Sequence, residues 1–110
     1  MKQYEIFYVN LDPTVGHEMK KSRPCLIVSP DEMNQSLGTV IVAPITSAKR
    51  DIPTRVYIEK KGTDLKEDNN WAVLDQIRTI DKSRLGRSLK VISESNAEKV
   101  ASVLCDMFKQ

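Results

Sequence analysis

Residues 4–28 read YEIFYVNLDPTVGHEMKKSRPCLIV, a strand, a polar loop and a second strand. Over residues 4–11, Ile6, Tyr8 and Asn10 fall on one side and Phe7, Val9 and Leu11 on the other. Aromatic and β-branched side chains suit such a pleated surface. Asp12-Pro13 ends the strand, because proline has no ladder donor. Residues 14–22 form a polar loop with one glycine, Gly16. After Arg23-Pro24, the run Cys25-Leu26-Ile27-Val28 is continuously apolar and short, as expected of a strand buried on both faces.

Working outward, Ser29-Pro30-Asp31 breaks this strand, and Asp31 is placed to cap a short helical turn through Gln35. A third strand spans 39–43, opened by Gly38 and closed by Pro44. A fourth, 54–59, follows Pro53 and alternates Val56 and Ile58 with Arg55 and Tyr57. Residues 60–70 are charged and turn-rich. A fifth strand covers 71–76, continues beyond a bend over 77–80, and a short strand lies at 89–92. The period then changes. Ser95-Asn96-Ala97-Glu98 reads as a capping box, after which Ala97, Val100, Ala101, Leu104, Met107 and Phe108 share one helical face. The chain is therefore mainly β with a C-terminal helix, a small antiparallel barrel or rolled sheet. The helix must bury its apolar face on that sheet or on a second subunit.

The 110 residues favour one domain over 1–110. With 40% hydrophobic and 29% charged residues the composition is that of a globular chain rather than a disordered one. A chain this size buries about two-thirds of its unfolded surface, so oligomerisation would supplement a thin core. No apolar run is long enough to span a membrane, and MKQYEIFYVN is not a signal peptide. Cys25 and Cys105 make no disulfide framework, and the sole histidine, His17, leaves no zinc signature. Reduced thiols and a cytoplasmic location are expected. The net charge of +2 does not argue for nucleic acid; the placement of the cations matters more.

Four clusters carry polar function. The loop Gly16-His17-Glu18-Met19-Lys20-Lys21-Ser22-Arg23-Pro24 reads either as a solvated turn or as an anion site. In the second reading Arg23 offers a planar fork of donors at the base of a strand. Pro44-Ile45-Thr46-Ser47 places hydroxyls at a strand end, for phosphate or for turn backbone. Asp75-Gln76-Ile77-Arg78-Thr79, with Asp81 behind, is either a structural pair or an acid–base group. Arg78, Lys82, Arg84, Arg87 and Lys90 form a basic run, a phosphate footprint or a charged edge. Singly, none is specific.

Their order says more. Leu11-Asp12-Pro13-Thr14-x-Gly16-His17-Glu18-x4-Arg23-Pro24, then Val42-Ala43-Pro44-Ile45-Thr46-Ser47, then Leu74-Asp75-Gln76-Ile77-Arg78-Thr79-Ile80-Asp81 closely resembles the MazF/PemK (Kid) toxins of toxin–antitoxin systems. The resemblance runs from about Glu5 to the C-terminal helix. It implies an SH3-like barrel, a homodimer, and sequence-selective endoribonuclease activity on single-stranded RNA, without metal or other cofactor. A cognate antitoxin, with an acidic, partly disordered segment, is the implied partner. Operator DNA is implied only through the antitoxin complex, and no membrane is involved.

Position by position, the resemblance makes Arg23 and Thr46 the catalytic pair and Glu18 the loop carboxylate beside it. His17, Thr46 and Asp75 match positions implicated in Kid-like members, where an arginine two places before the aspartate also acts. Here that place holds Val73, and the Arg23/Thr46 version fits better. Gln76 and Arg78 are further candidates for acid–base work or RNA contact. Lys20, Lys21, Arg84 and Arg87 are candidates for the RNA backbone. In such cleavage the ribose 2′-hydroxyl is the nucleophile, so the protein must hold the phosphate in line, offset charge on its oxygens and move two protons. Arginine holds its proton too tightly for a general base, which leaves Glu18, Asp75 or His17 for that step. A runner-up is a CcdB-like toxin that binds DNA gyrase without chemistry. A third reading, a barrel that merely binds RNA, is weaker because few aromatics are free for stacking.

Overall fold

The computed structural model describes residues 1–109. Seven strands and two helices follow one another: β1 (Glu5–Asn10), β2 (Ser22–Ile27), α1 (Asp31–Ser36), β3 (Thr39–Thr46), β4 (Arg55–Ile58), β5 (Asn70–Val73), β6 (Arg78–Asp81), β7 (Leu85–Val91) and α2 (Glu94–Phe108). Two 3₁₀ turns, Leu74–Gln76 and Lys82–Arg84, flank β6. The sheet order is β4-β5-β3-β2-β1-β7, with β6 paired to β3, and all pairings are antiparallel. The mainly β fold with a C-terminal helix is borne out. Among the described residues no pairing joins β4 to β7, so the sheet is open rather than a closed barrel.

Period-2 alternation divides the core. Ile6, Leu26, Ala43, Val56, Ile58 and Leu89 join one buried cluster, on which α2 lays Ala97, Val100, Val103, Leu104 and Met107. Val9, Leu11, Cys25, Ile27, Val40, Val42 and Ile80 form a second. Cys25, Leu26 and Ile27 are all buried, which is why β2 reads as an unbroken apolar run. Met107 is the last helix residue packed on the first cluster. Phe108, expected on the same face, ends the helix and is 71% exposed.

Several boundaries differ from the sequence reading. β3 continues through Pro44 to Thr46. Pro44 lies where one edge of β3 changes partner, between Val42 opposite Arg78 and Ile45 opposite Ala72, and a proline is tolerated at such a break in the ladder. The fifth strand stops at Val73, and residues 74–76 turn the chain so that β6 joins β3 instead of extending β5. β7 begins at Leu85; its pairing with β1 is irregular, with register shifts, so no clean alternation announces it. Asp31 caps nothing: its carboxylate accepts from the Gln3 N–H at 2.8 Å, and Pro30 holds the N-cap place of α1. Helix α2 starts earlier than the Ser95 box, capped by the Ser93 hydroxyl, which accepts from the Asn96 N–H at 3.2 Å.

Candidate functional site

The loop between β1 and β2 is closed at its base by its own backbone and the Asp12 side chain. The Leu11 N–H donates to the Lys21 carbonyl at 3.2 Å, and the Lys21 N–H donates to Asp12 Oδ1 at 3.1 Å. Gly16 turns the loop with φ +60°, a conformation open to a residue without Cβ. Two arginines from elsewhere hold the same base. Arg78 donates to the Leu11 carbonyl at 3.0 Å. Arg84 donates to the carbonyls of Asn10 and Asp12 at 3.2 and 2.8 Å. The loop's far end is tied down where the Met19 N–H donates to Gln76 Oε1 at 2.9 Å.

Between the loop and the 74–76 turn lies a cleft of about 400 Å³. Leu11, Val15, His17, Glu18 and Met19 line it from the loop, Pro44 from β3, and Asp75, Gln76, Ile77 and Arg78 from the other wall. Glu18 turns back on its own loop: its Oε1 accepts from the Val15 N–H at 2.5 Å. Because Gln76 Oε1 accepts from Met19, its amide nitrogen is the end left to donate.

Arg23 and Thr46 stand on the ends of two adjacent strands, and neither is among the residues that line the cleft, to which β3 contributes Pro44. Cys25 in β2 is opposite Pro44 in β3. Arg23 and Thr46 each lie two residues on from that pair, and so share its face. Arg23 is half-buried and donates from Nε to the Lys20 carbonyl at 3.2 Å. Thr46 Oγ1 accepts from the Ala48 N–H at 3.1 Å. Burial pushes the Cys25 thiol up to about 12, and the guanidinium charges of Arg23 and Arg78 oppose that rise. Both arginines therefore act on one small region of the second core cluster.

Asp75 is not paired with the neighbouring Arg78. Arg55 grips it from β4, with Nε to Oδ1 at 2.8 Å and Nη2 to Oδ2 at 3.2 Å, and the Thr54 hydroxyl adds a third bond at 2.9 Å. Hydrogen bonding from Arg55 is the main reason its carboxyl is held below the usual carboxylate range, against a smaller upward push from burial. Arg55 lies directly opposite Val73 in the β4–β5 register. Sequence reasoning missed it, reading it only as a polar position in an alternating strand.

Of the remaining candidates, Lys20 and Lys21 are exposed on the loop. Arg87 is not brought to the cleft: its guanidinium lies 5.6 Å from the centroid of the Tyr8 ring, which packs on the cluster under α2. Asp81 caps the Lys82–Arg84 turn by accepting from the Ser83 N–H. Among the described residues, no three His, Cys, Asp or Glu side chains converge as a metal site requires.

The family described as "PemK-like, MazF-like toxin of type II toxin-antitoxin system" matches residues 2–108. The chain belongs to that family. The MazF-like toxin is 40% identical over 106 residues to the endoribonuclease MazF of Staphylococcus epidermidis, covering 94% of this chain and 88% of that relative. The solved MazF of Deinococcus radiodurans superposes with a TM-score of 0.82 at 24% identity, over 100% of this chain and 97% of that one. A mycobacterial endoribonuclease solved in complex with its cognate antitoxin gives 0.82 at 22% identity, over 99% and 95%. The expectation of a MazF-type endoribonuclease toxin is borne out by these likenesses, and the gyrase-binding alternative is not favoured.

Proposed function

We propose that this MazF-like toxin cuts single-stranded RNA, mRNA above all, at selected sequences and without a metal ion, and so inhibits translation. The single observation that carries the reading is the placement of Arg23 and Thr46 on one face of two adjacent strand ends, each two residues along from the Cys25–Pro44 pair whose Pro44 lines a cleft rimmed by polar groups. The 2′-oxygen forms a bond to phosphorus and the bond to the 5′-oxygen breaks. The 2′-hydroxyl proton goes to a protein base, and a proton is returned to the departing 5′-oxygen. Arg23 and Thr46 hydrogen-bond the phosphate oxygens as charge develops on them, the role of a preorganised oxyanion site. Of the three candidate bases, Asp75 is bound by Arg55 and Glu18 by its own loop. His17 lines the cleft, and imidazole is the commonest general base.

Lys20 and Lys21 on the loop suit the RNA backbone. The Gln76 amide and the Asp75 carboxylate suit a base edge, since splayed bases are how single strands are read. The protein acts as a single-domain homodimer in the cytoplasm. The loop cations suit an acidic, partly disordered antitoxin segment, and operator DNA is met only through that complex. Residue 110 of the expected domain lies outside the described residues.

The test is incubation of the purified protein with a long mRNA, with and without chelator. Fragments ending in a 2′,3′-cyclic phosphate and a 5′-hydroxyl are expected under both conditions. Cleavage abolished by chelator and restored by magnesium would overturn the mechanism.

A further inference from the structure

We propose that Arg55 is a positioning residue for this cleavage, holding the Asp75 carboxylate at the edge of the cleft as a fixed, ionised acceptor for a hydrogen-bond donor of the RNA. The inference rests on reading the cleft as the RNA site. Asp75 belongs to a three-residue turn between β5 and β6, and so short a segment gives a side chain little rigidity of its own. Arg55 supplies that rigidity from a strand. Its two bonds, one to each carboxylate oxygen, fix the plane of the carboxylate as well as its position.

Exposure separates the two partners. The Arg55 side chain is 9% exposed and that of Asp75 is 35% exposed. Asp75 faces the cleft, whereas Arg55 lines a different groove, against α2. The guanidinium is therefore a support, and the carboxylate is the group a ligand meets. A bare carboxylate would repel RNA phosphates; the adjoining guanidinium offsets that charge and keeps the acceptor. The same contact lowers the carboxyl below the usual carboxylate range, which weakens it as a base and suits Asp75 to accepting hydrogen bonds. The other titratable or charged groups at the cleft are His17, Glu18 and Arg78, and those on the far side of Arg55 are Asp51, Lys99 and Asp106.

Single-turnover cleavage of an oligonucleotide by Arg55→Gln, Arg55→Lys and Thr54→Val tests this, from pH 4 to 8, with a melting curve for each. Arg55→Gln is expected to lose on the order of 10- to 100-fold in rate at neutral pH, the scale of a misplaced group. Its pH profile should also steepen through the ordinary carboxylate range, where the wild type does not. Arg55→Lys should recover part of the rate, and Thr54→Val should lose less than Arg55→Gln. A merely structural arginine would lower the melting temperature and leave the pH profile unmoved. If Arg55→Gln does not fold, Arg55→Lys carries the test, with the Asp75 carboxyl titration followed by carbon NMR in it and in the wild type. A folded Arg55 variant with the wild-type rate and acid limb overturns the proposal. Wild-type protein that cleaves no RNA overturns it together with the function on which it rests.

Discussion

At Arg23 the chain passes from a polar loop into a strand whose next residues are buried on both faces, so the base of this side chain is rigid while its head stays half-accessible. If its guanidinium clamps the phosphate, Arg23→Ala should slow single-turnover cleavage by about 100-fold or more, the cost of losing one charge-stabilising donor. Arg23→Lys should rescue only partly, because it keeps the charge and loses the fork. The fold should lose only about 1 kcal/mol, the worth of the hydrogen bond to Lys20. A folded Arg23→Ala protein that cleaves at the wild-type rate would move attention to His17, Thr46 and Asp75. Asp75 makes a prediction about pH. Its carboxyl is lowered in the folded state, so its contribution to stability is complete above the unfolded value of about 3.9 and is lost as pH falls through the folded one. Wild type should therefore exceed Asp75→Asn in urea midpoint at pH 6, and the gap should close in strong acid. A gap that stays constant down to pH 2 would show that the Arg55 clamp is not what the mutation removes.

Among the elements, α2 shows how a local signal is settled by its surroundings. Ser95-x-x-Glu98 has the form of a helix start, yet Ser93 holds the cap. The first turn is pinned from outside: the Glu59 N–H donates to Asn96 Oδ1 at 2.9 Å and the Ile92 N–H to the Tyr4 carbonyl at 3.0 Å. These bonds fix where the chain meets the sheet and so select the earlier serine. Ser93→Ala should then cost about 1 kcal/mol, or roughly 4–8 °C in melting temperature, and Ser95→Ala no more than about 0.5 kcal/mol. Equal losses would refute this placement. The strands teach the complementary lesson. β1 is legible because alternation and Asp12-Pro13 mark it, and β2 because its apolar run is unbroken, although it starts earlier, at Ser22, and takes in Pro24; β7 is largely hidden because its pairing with β1 shifts register twice.

For the whole molecule, the Cα radius of gyration of one chain is 12.8 Å. Val15, Ile52, Tyr57, Val91 and Phe108 remain exposed on it. The proposed homodimer predicts twice the monomer mass in sedimentation and a scattering radius well above the single-chain value. A monomer at micromolar concentration would remove the claim.

The sequence by itself determined the β-rich class, the doubly buried β2, the apolar face of α2 and the ordered motifs of the family. All of these rest on neighbours a few residues apart, where alternation, helical period and proline act directly. It also placed Arg23 and Thr46 at strand ends. Only the tertiary structure decided that the sheet stays open, that Arg55 holds Asp75 across 20 residues, and that Arg78 and Arg84 serve the loop's carbonyls while Arg87 sits on Tyr8. Strand order and register decide which distant side chains meet, and a long arginine can reach several partners. No local pattern in the chain chooses among them.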